Sequence, residues 1–394
     1  STGPRGGRGS WTGGPVTVRR DPRARFLAGL ALVLGVAGPA GGAPGAFGPV
    51  ASPIYDPASP GPYTVLTKSF PDLLDPGRPS PYPPGDPMHT EGRQVPVRLY
   101  YPAEAAAGGL SCPFVVCSHG AGGSPETFAE LPFHLASHGY VVAVPSHDGS
   151  DADFLAFLRE RLVIGPYTGY DAIYGPIGGL AAALWHMEGL PVLGAFPDEV
   201  LPREDDRPEL RERPRDVSFL LYQIPAWNQD PDRLGIIDAG RVGVAGHSFG
   251  AYTAMAAAGA LANMPGGQAS YGDARVDVIL AMSPQPESGG PQLFASGSFA
   301  PLEGIPVLGI SGSQDFGVQI LPLDRLQLFE LSPGTGKYHV WNENVEHEDF
   351  SDQSDAQRAL DNRRICRAMG TAFFDAYLKG AQGAQKHYLN QAYL

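Results

Sequence analysis

Apolar residues arrive along this chain in two rhythms. Val95-Pro96-Val97-Arg98-Leu99-Tyr100-Tyr101 alternates, as a strand buried on one face does, and residues 63–70 read as a companion strand. Farther on, short continuous apolar runs replace the alternation, at residues 113–118, 140–145, 242–245, 278–282, 306–310 and 338–341. Between them lie stretches with helical spacing: residues 124–138, where Phe128, Leu131 and Leu135 share a face, then 251–262 and 358–378. Continuous apolar strands that alternate with helices predict an α/β fold, a mostly parallel central sheet with helices on both faces.

One interval breaks the alternation. Residues 151–214 are too long for a simple crossover and follow the strand near residue 145. They hold apolar helical runs at 154–162 and 180–187 and a polar, charged tail at 198–213. The interval reads either as a cap that shapes an acyl pocket or as a structural excursion over the sheet's edge. Gly (52) and Pro (40) are abundant, but they fall between the apolar strands and so read as loops and turns. The expected organisation is an N-terminal extension over residues 1–43 and one domain over 44–394.

Charge and targeting narrow the classes. The first 43 residues hold six Arg and one Asp, so setting them aside takes the net charge from −13 to −18. A chain that acidic is poorly suited to nucleic acid or to anionic membrane surfaces. Arg19, Arg20, Arg23 and Arg25 precede an apolar run, Phe26 to Val36, which ends in small residues up to Ala43. A basic segment, a short apolar one and an Ala/Gly-rich exit describe a secretory signal peptide, and the run is short for a membrane span. The expected location is therefore secreted or periplasmic. Cys112, Cys117 and Cys366 are few and odd in number, which argues against a disulfide scaffold, and no Cys/His spacing suggests zinc.

The chemistry centres on Gly246-His247-Ser248-Phe249-Gly250. An apolar strand precedes it and an alanine-rich helix follows, the setting in which a serine on a sharp strand-to-helix turn becomes a nucleophile. Acyl transfer also needs backbone N–H donors for the oxyanion. Phe249 supplies one, and Ala121, in the loop Ser118-His119-Gly120-Ala121-Gly122-Gly123 after an early strand, is the natural second. Asp315 lies in the exit loop of the strand at 306–310 and can orient an imidazole. His347 follows the last strand in the chain order that such a triad requires, whereas His339 lies within that strand and His387 in the tail. His119 and His247 read as positional members of their motifs. The acids Glu346, Glu348, Asp349 and Asp352 match no calcium-loop spacing and read as a solvated surface.

These residues resemble the platelet-activating-factor acetylhydrolase-like branch of the α/β-hydrolases, and the related dienelactone-hydrolase and bacterial cutinase-like polyester hydrolases. The resembling stretches include residues 95–102, 118–123, 135–142, His147-Asp148-Gly149-Ser150, 241–254 and His347 to Asp352, and spread discontinuously over about residues 60–380. The resemblance implies an α/β-hydrolase fold and a Ser248–Asp315–His347 triad with oxyanion donors at Ala121 and Phe249. It implies a serine carboxylic-ester hydrolase that needs no metal or cofactor and acts on small-molecule, lipid or polymeric esters. Residues 151–214 do not match the compact crossover of the cutinase-like members. Serine at the elbow, where strict dienelactone hydrolases carry cysteine, argues against that chemistry. A serine peptidase of the same fold and a non-catalytic binding module remain the alternatives.

Overall fold

The computed structural model describes residues 56–82, 84–104, 111–154, 156, 208–230, 237–288, 293–317, 319–381 and 388–389, and the backbone of 31–36. Among these, nine strands form the main sheet: β1 Ala31–Val36, β2 Val65–Phe70, β3 Val97–Pro102, β4 Cys112–Ser118, β5 Val141–Pro145, β6 Ile237–His247, β7 Val278–Met282, β8 Val307–Gln314 and β9 Lys337–Glu346. Their order is β1-β9-β8-β7-β6-β4-β5-β3-β2. The run from β9 to β5 is parallel throughout, while β3, β2 and β1 run antiparallel to their neighbours. This is an α/β architecture with a mostly parallel sheet.

Burial follows from position in that sheet. The inner strands β4, β5 and β7 are buried at every residue, as continuous apolar runs require. Edge strand β2 mixes exposed and half-buried positions. Four helices cover the faces: α1 Glu130–Ser137, α2 Pro208–Trp227, α3 Phe249–Ala257 and α4 Gln357–Leu378. On one face Leu131, Leu135, Phe373 and Phe374 pack with Val115, Cys117, Val142 and Leu280. On the other Val217, Leu220, Ile224 and Met255 pack with Phe114, Val116, Val141 and Val244. Successive residues of β4 thus feed opposite cores, which is the two-residue period of a strand. Each such buried side chain contributes about 1.5–3 kcal/mol.

Two expected helices are shorter than their apolar spacing suggests. Residues 124–129 precede α1 as turns, where Thr127 Oγ1 accepts from Ser124 N and donates to Ser124 O, both at 2.9 Å. Such local bonds compete with a helix. Helix α3 stops at Ala257, just before Gly259 takes φ 118°.

A correction concerns residues 198–213, expected as a polar tail. Residues 208–213 are the first turns of α2, and Leu210, Glu212 and Arg213 are buried there. Charged residues and the internal Pro214 and Pro225 mask this helix in the apolar pattern. Pro214 has no N–H to give the carbonyl of Leu210, four residues back. Tyr252 Oη donates to that carbonyl instead, at 2.7 Å. Almost all the rest of the interval 151–214, with its run at 180–187 and most of that at 154–162, lies outside the described residues.

Strand β1 comes from the apolar run of the expected signal peptide. It pairs with β9, Ala31 opposite Asn342 and Val36 opposite Lys337. Among the described residues, no helix is long and apolar enough to cross a membrane.

Candidate active site

Strand β6 ends at His247 and α3 begins at Phe249, so Ser248 turns the corner alone, with φ 57° and ψ −115°. That conformation is strained for a residue with a Cβ, and its surroundings hold it. Ser248 N donates to Met282 O at 3.0 Å, and Ser248 O accepts from Tyr252 N at 3.1 Å. A Cβ on Gly246 would stand 2.1 Å from Gly250 O, and one on Gly250 would stand 2.0 Å from Ser118 O. Either side chain would drive β6, α3 or β4 apart, so both glycines are fixed by contact.

Three of the expected residues meet here. Ser248 Oγ lies 2.9 Å from His347 Nε2, and His347 Nδ1 lies 2.7 Å from Asp315 Oδ1. Asp315 follows β8 directly and His347 follows β9 directly, so two parallel strands deliver the pair to one end of the sheet. The hydrogen-bond pattern assigns the imidazole an Nδ1–H that donates to Asp315, which leaves Nε2 to accept from Ser248.

Asp315 is fully buried. Ser283 Oγ donates to its Oδ2 at 2.7 Å, and Arg325 Nη2 stands 3.2 Å from its Oδ1. Burial pushes this carboxyl up, but the Arg325 charge and the bonds from His347 and Ser283 outweigh it and bring it down to about 2. It is an anion at any physiological pH. Arg325, itself buried, also donates to Ser283 O at 3.2 Å and Pro284 O at 3.1 Å. The sequence pattern singled out neither Ser283 nor Arg325. Ser283 follows β7 with φ 54°, but Arg325 lies in a short 3-10 helix, Pro322–Leu326, with no local signal of its role.

The loop 119–123 leaves β4 and lies against the elbow: a Cβ on Gly120 would stand 3.5 Å from Ser248 Cβ. Ala121 is half-buried in that loop. Phe249 opens α3, so its N–H heads the helix end whose dipole favours anions. Gly120, which precedes Ala121, and Phe249 thus approach Ser248 from two separate elements.

The remaining expected residues have structural surroundings. His119 Nδ1 donates to Gly120 O at 2.7 Å, and burial, then the Arg213 charge, holds its ring well below the usual histidine range. His247 stacks on Phe350, ring centroids 5.5 Å apart, and lies tilted against His347 at 4.8 Å. His339 Nε2 lies 2.7 Å from Ser311 Oγ within the core, and His387 lies outside the described residues. Asp349 Oδ2 accepts from Glu346 N at 2.9 Å and pairs with Arg358 at 2.7 Å. Asp352 Oδ2 accepts from Glu130 N, 2.8 Å away at the start of α1. Among the described residues no His, Cys, Asp or Glu group is arranged to hold a metal ion.

Behind the loop 119–123 lies a second set of buried polar groups. Ser118 Oγ is 2.8 Å from His147 Nε2, and His147 Nδ1 is 2.8 Å from Asp216 Oδ2. Asp216 also accepts from Arg78 at 2.6 Å and from Arg93 Nε at 2.9 Å. Burial, then the charge of Arg213, pushes His147 down to about 4, so its ring is neutral at pH 7.

A mostly parallel α/β sheet that carries a serine, a histidine and a buried carboxylate in one hydrogen-bonded chain suits a hydrolase. Residues 104–164 match the family model of platelet-activating factor acetylhydrolase, isoform II. The match supports a platelet-activating factor acetylhydrolase-like family and hence a hydrolase of esters. It takes in β4, the loop 119–123, α1 and β5, and ends before Ser248, Asp315 and His347. No curated protein matched the chain.

Proposed function

We propose that this protein is a serine carboxylic-ester hydrolase of the α/β-hydrolase fold, with Ser248 as nucleophile, His347 as general base and Asp315 as its orienting acid. The observation that carries the reading is the hydrogen-bonded chain from the Ser248 elbow through His347 to the buried Asp315 anion. In the proposed reaction His347 Nε2 takes the hydroxyl proton as Ser248 Oγ attacks the ester carbonyl. The carbonyl pair moves onto oxygen, where the N–H groups of Ala121 and Phe249 receive the charge. The imidazolium then protonates the leaving alkoxide. Water, activated by the same imidazole, cleaves the acyl-enzyme and returns the proton to Ser248. Asp315, acceptor for Nδ1–H throughout, stabilises the imidazolium without taking its proton.

Exposed apolar residues close to Asp315 in sequence favour an acyl group or lipid as substrate. Phe316, Leu321 and Leu323 follow Asp315 within eight residues and are all exposed. Short-chain acyl, phospholipid-type and polyester substrates all fit this reading, and cutinase-like relatives would share the last. The basic, apolar and small-residue succession over residues 19–43 supports export.

The test is hydrolysis of p-nitrophenyl esters from acetyl to palmitoyl by the wild type and by Ser248→Ala. A maximum at short acyl chains, absent in the variant, supports an acetylhydrolase-like enzyme. A maximum at eight carbons or more shifts the substrate toward lipids or polyesters. Ester hydrolysis that survives in Ser248→Ala overturns the assignment.

A further inference from the structure

Arg213 lies six residues into α2, where its side chain is fully buried. Its Nε donates to Ser150 Oγ at 2.8 Å, its Nη1 to His119 O at 2.8 Å, and its Nη2 to Gly120 O at 3.2 Å. The plane of the guanidinium also stands over the Phe249 ring, 4.3 Å from its centroid. One side chain thus touches both segments that carry the proposed oxyanion donors, and it does so from an element that contributes nothing else to the site.

The peptide geometry gives this contact a direction. Gly120 O and Ala121 N–H belong to one trans peptide and point opposite ways. Holding the carbonyl on the guanidinium side turns the N–H away from it. Gly120 O also accepts from His119 Nδ1 at 2.7 Å and Gly123 N at 3.2 Å, so its position is over-determined. Of these three donors only Arg213 carries a full charge, since burial keeps His119 neutral. A charged donor on the carbonyl polarises the peptide and strengthens the N–H as a donor.

Resting on the esterase reading above, we propose that Arg213 is a positioning residue for the oxyanion site: it fixes the Gly120–Ala121 peptide against Phe249 and polarises it toward the developing charge. It touches neither substrate nor reacting atoms. Its effect passes through two backbone groups.

The test compares p-nitrophenyl acetate with its thionoester, in which sulfur replaces the carbonyl oxygen. The C–S⁻ centre is larger and a weaker hydrogen-bond acceptor, so it gains less from an oxyanion site. Arg213→Gln is expected to lower kcat for the ester by roughly 10- to 100-fold with KM within about threefold. The thionoester rate should fall far less, so the ester-to-thionoester ratio drops. A merely structural loss lowers both rates equally and leaves the ratio unchanged, which overturns the proposal. Should Arg213→Gln fail to fold, Arg213→Lys, which keeps a charge but lacks the rigid planar fork, and Ser150→Ala, which frees Nε, carry the decision by the same ratio. If the wild type shows no Ser248-dependent hydrolysis, the esterase reading itself has failed. If that hydrolysis is present and the ratio stays constant, only the role of Arg213 is wrong.

Discussion

Ser248–His347–Asp315 and Ser118–His147–Asp216 form the same three-part chain, with spans of 2.9 and 2.7 Å in one and 2.8 and 2.8 Å in the other. Both imidazoles present Nδ1–H to a carboxylate and Nε2 to a hydroxyl. Everything around them differs. Ser248 sits on a strained corner at a helix start and its histidine side chain is 17 % exposed. Ser118 is the last residue of a flat buried strand, and all three members of its chain are closed to solvent. The carboxylates differ too. Asp315 faces one arginine, whereas Asp216 ties together Arg78, Arg93 and His147. A serine–histidine–aspartate pattern is therefore not chemistry by itself. Access and backbone strain separate a relay that can meet a carbonyl from one that braces a core.

The sharpest way to break this comparison is a fluorophosphonate label with turnover measured beside it. Ser248→Ala should lose activity by about 10⁵-fold or more and accept no label. Ser118→Ala should keep activity within about tenfold and label normally, while losing about 1–3 kcal/mol of stability to the unpaired His147 nitrogen. A label on Ser118 in the wild type would undo the distinction. Next in size, Asp315→Asn should cost about 10⁴ in kcat while the protein still folds, with a lower melting temperature because the buried Arg325 loses its anion. Asp216→Asn should reverse that pattern: activity lost only as the fold is lost, and about 3–5 kcal/mol of stability removed, because Arg78 and Arg93 lose their shared anion. Arg325→Met tests the support of the open relay. It should lower kcat by about 10- to 100-fold without moving KM, and an unchanged kcat would reduce Arg325 to a packing residue.

The smallest effect concerns pH in the sealed region. Burial raises Asp148 to about 7, against the opposing charge of Arg93 and with Asp151 adding to the rise. The folded protein then keeps a proton that the unfolded chain gives up near pH 4. Stability should fall as pH rises from about 4 to about 7, because the native state binds more protons across that window. Asp148→Asn should flatten this slope and be more stable than the wild type at pH 8 by a few kcal/mol at most, on the order that a pKa gap of this size allows. Thermal unfolding at pH 4 and pH 8 reads it, and equal slopes in both proteins would refute it.

What was legible in the sequence had a local cause. The elbow shows because its two glycines are fixed by contacts of about 2 Å that no side chain survives, so they must be written into the chain. Asp315 and His347 show because each lies a few residues beyond an apolar run, 306–310 and 338–341, in the expected order. The inner strands show because burial on both faces leaves runs of consecutive apolar residues. Arg213, Arg325 and Asp216 carry no such mark. Their partners lie up to 138 residues away in sequence, and a lone charge looks the same on a surface as in a core. Helix α2 hid for a related reason. Its first turns are charged for the sake of buried ion pairs, and its prolines mimic a loop.

The bond from Tyr252 to Leu210 bears on how the length of this chain can vary. It joins the ion pairs of α2 in holding that helix's register, and it acts at residue 210, three positions before Arg213 and six before Asp216. A single residue inserted between Leu210 and Arg213 would turn the arginine by about 100° around the helix axis and away from the loop it holds. Segment grafting upstream therefore meets a downstream limit in α2 itself, where the Tyr252 hydroxyl and the ion pairs of Glu209, Glu212 and Asp216 share one register.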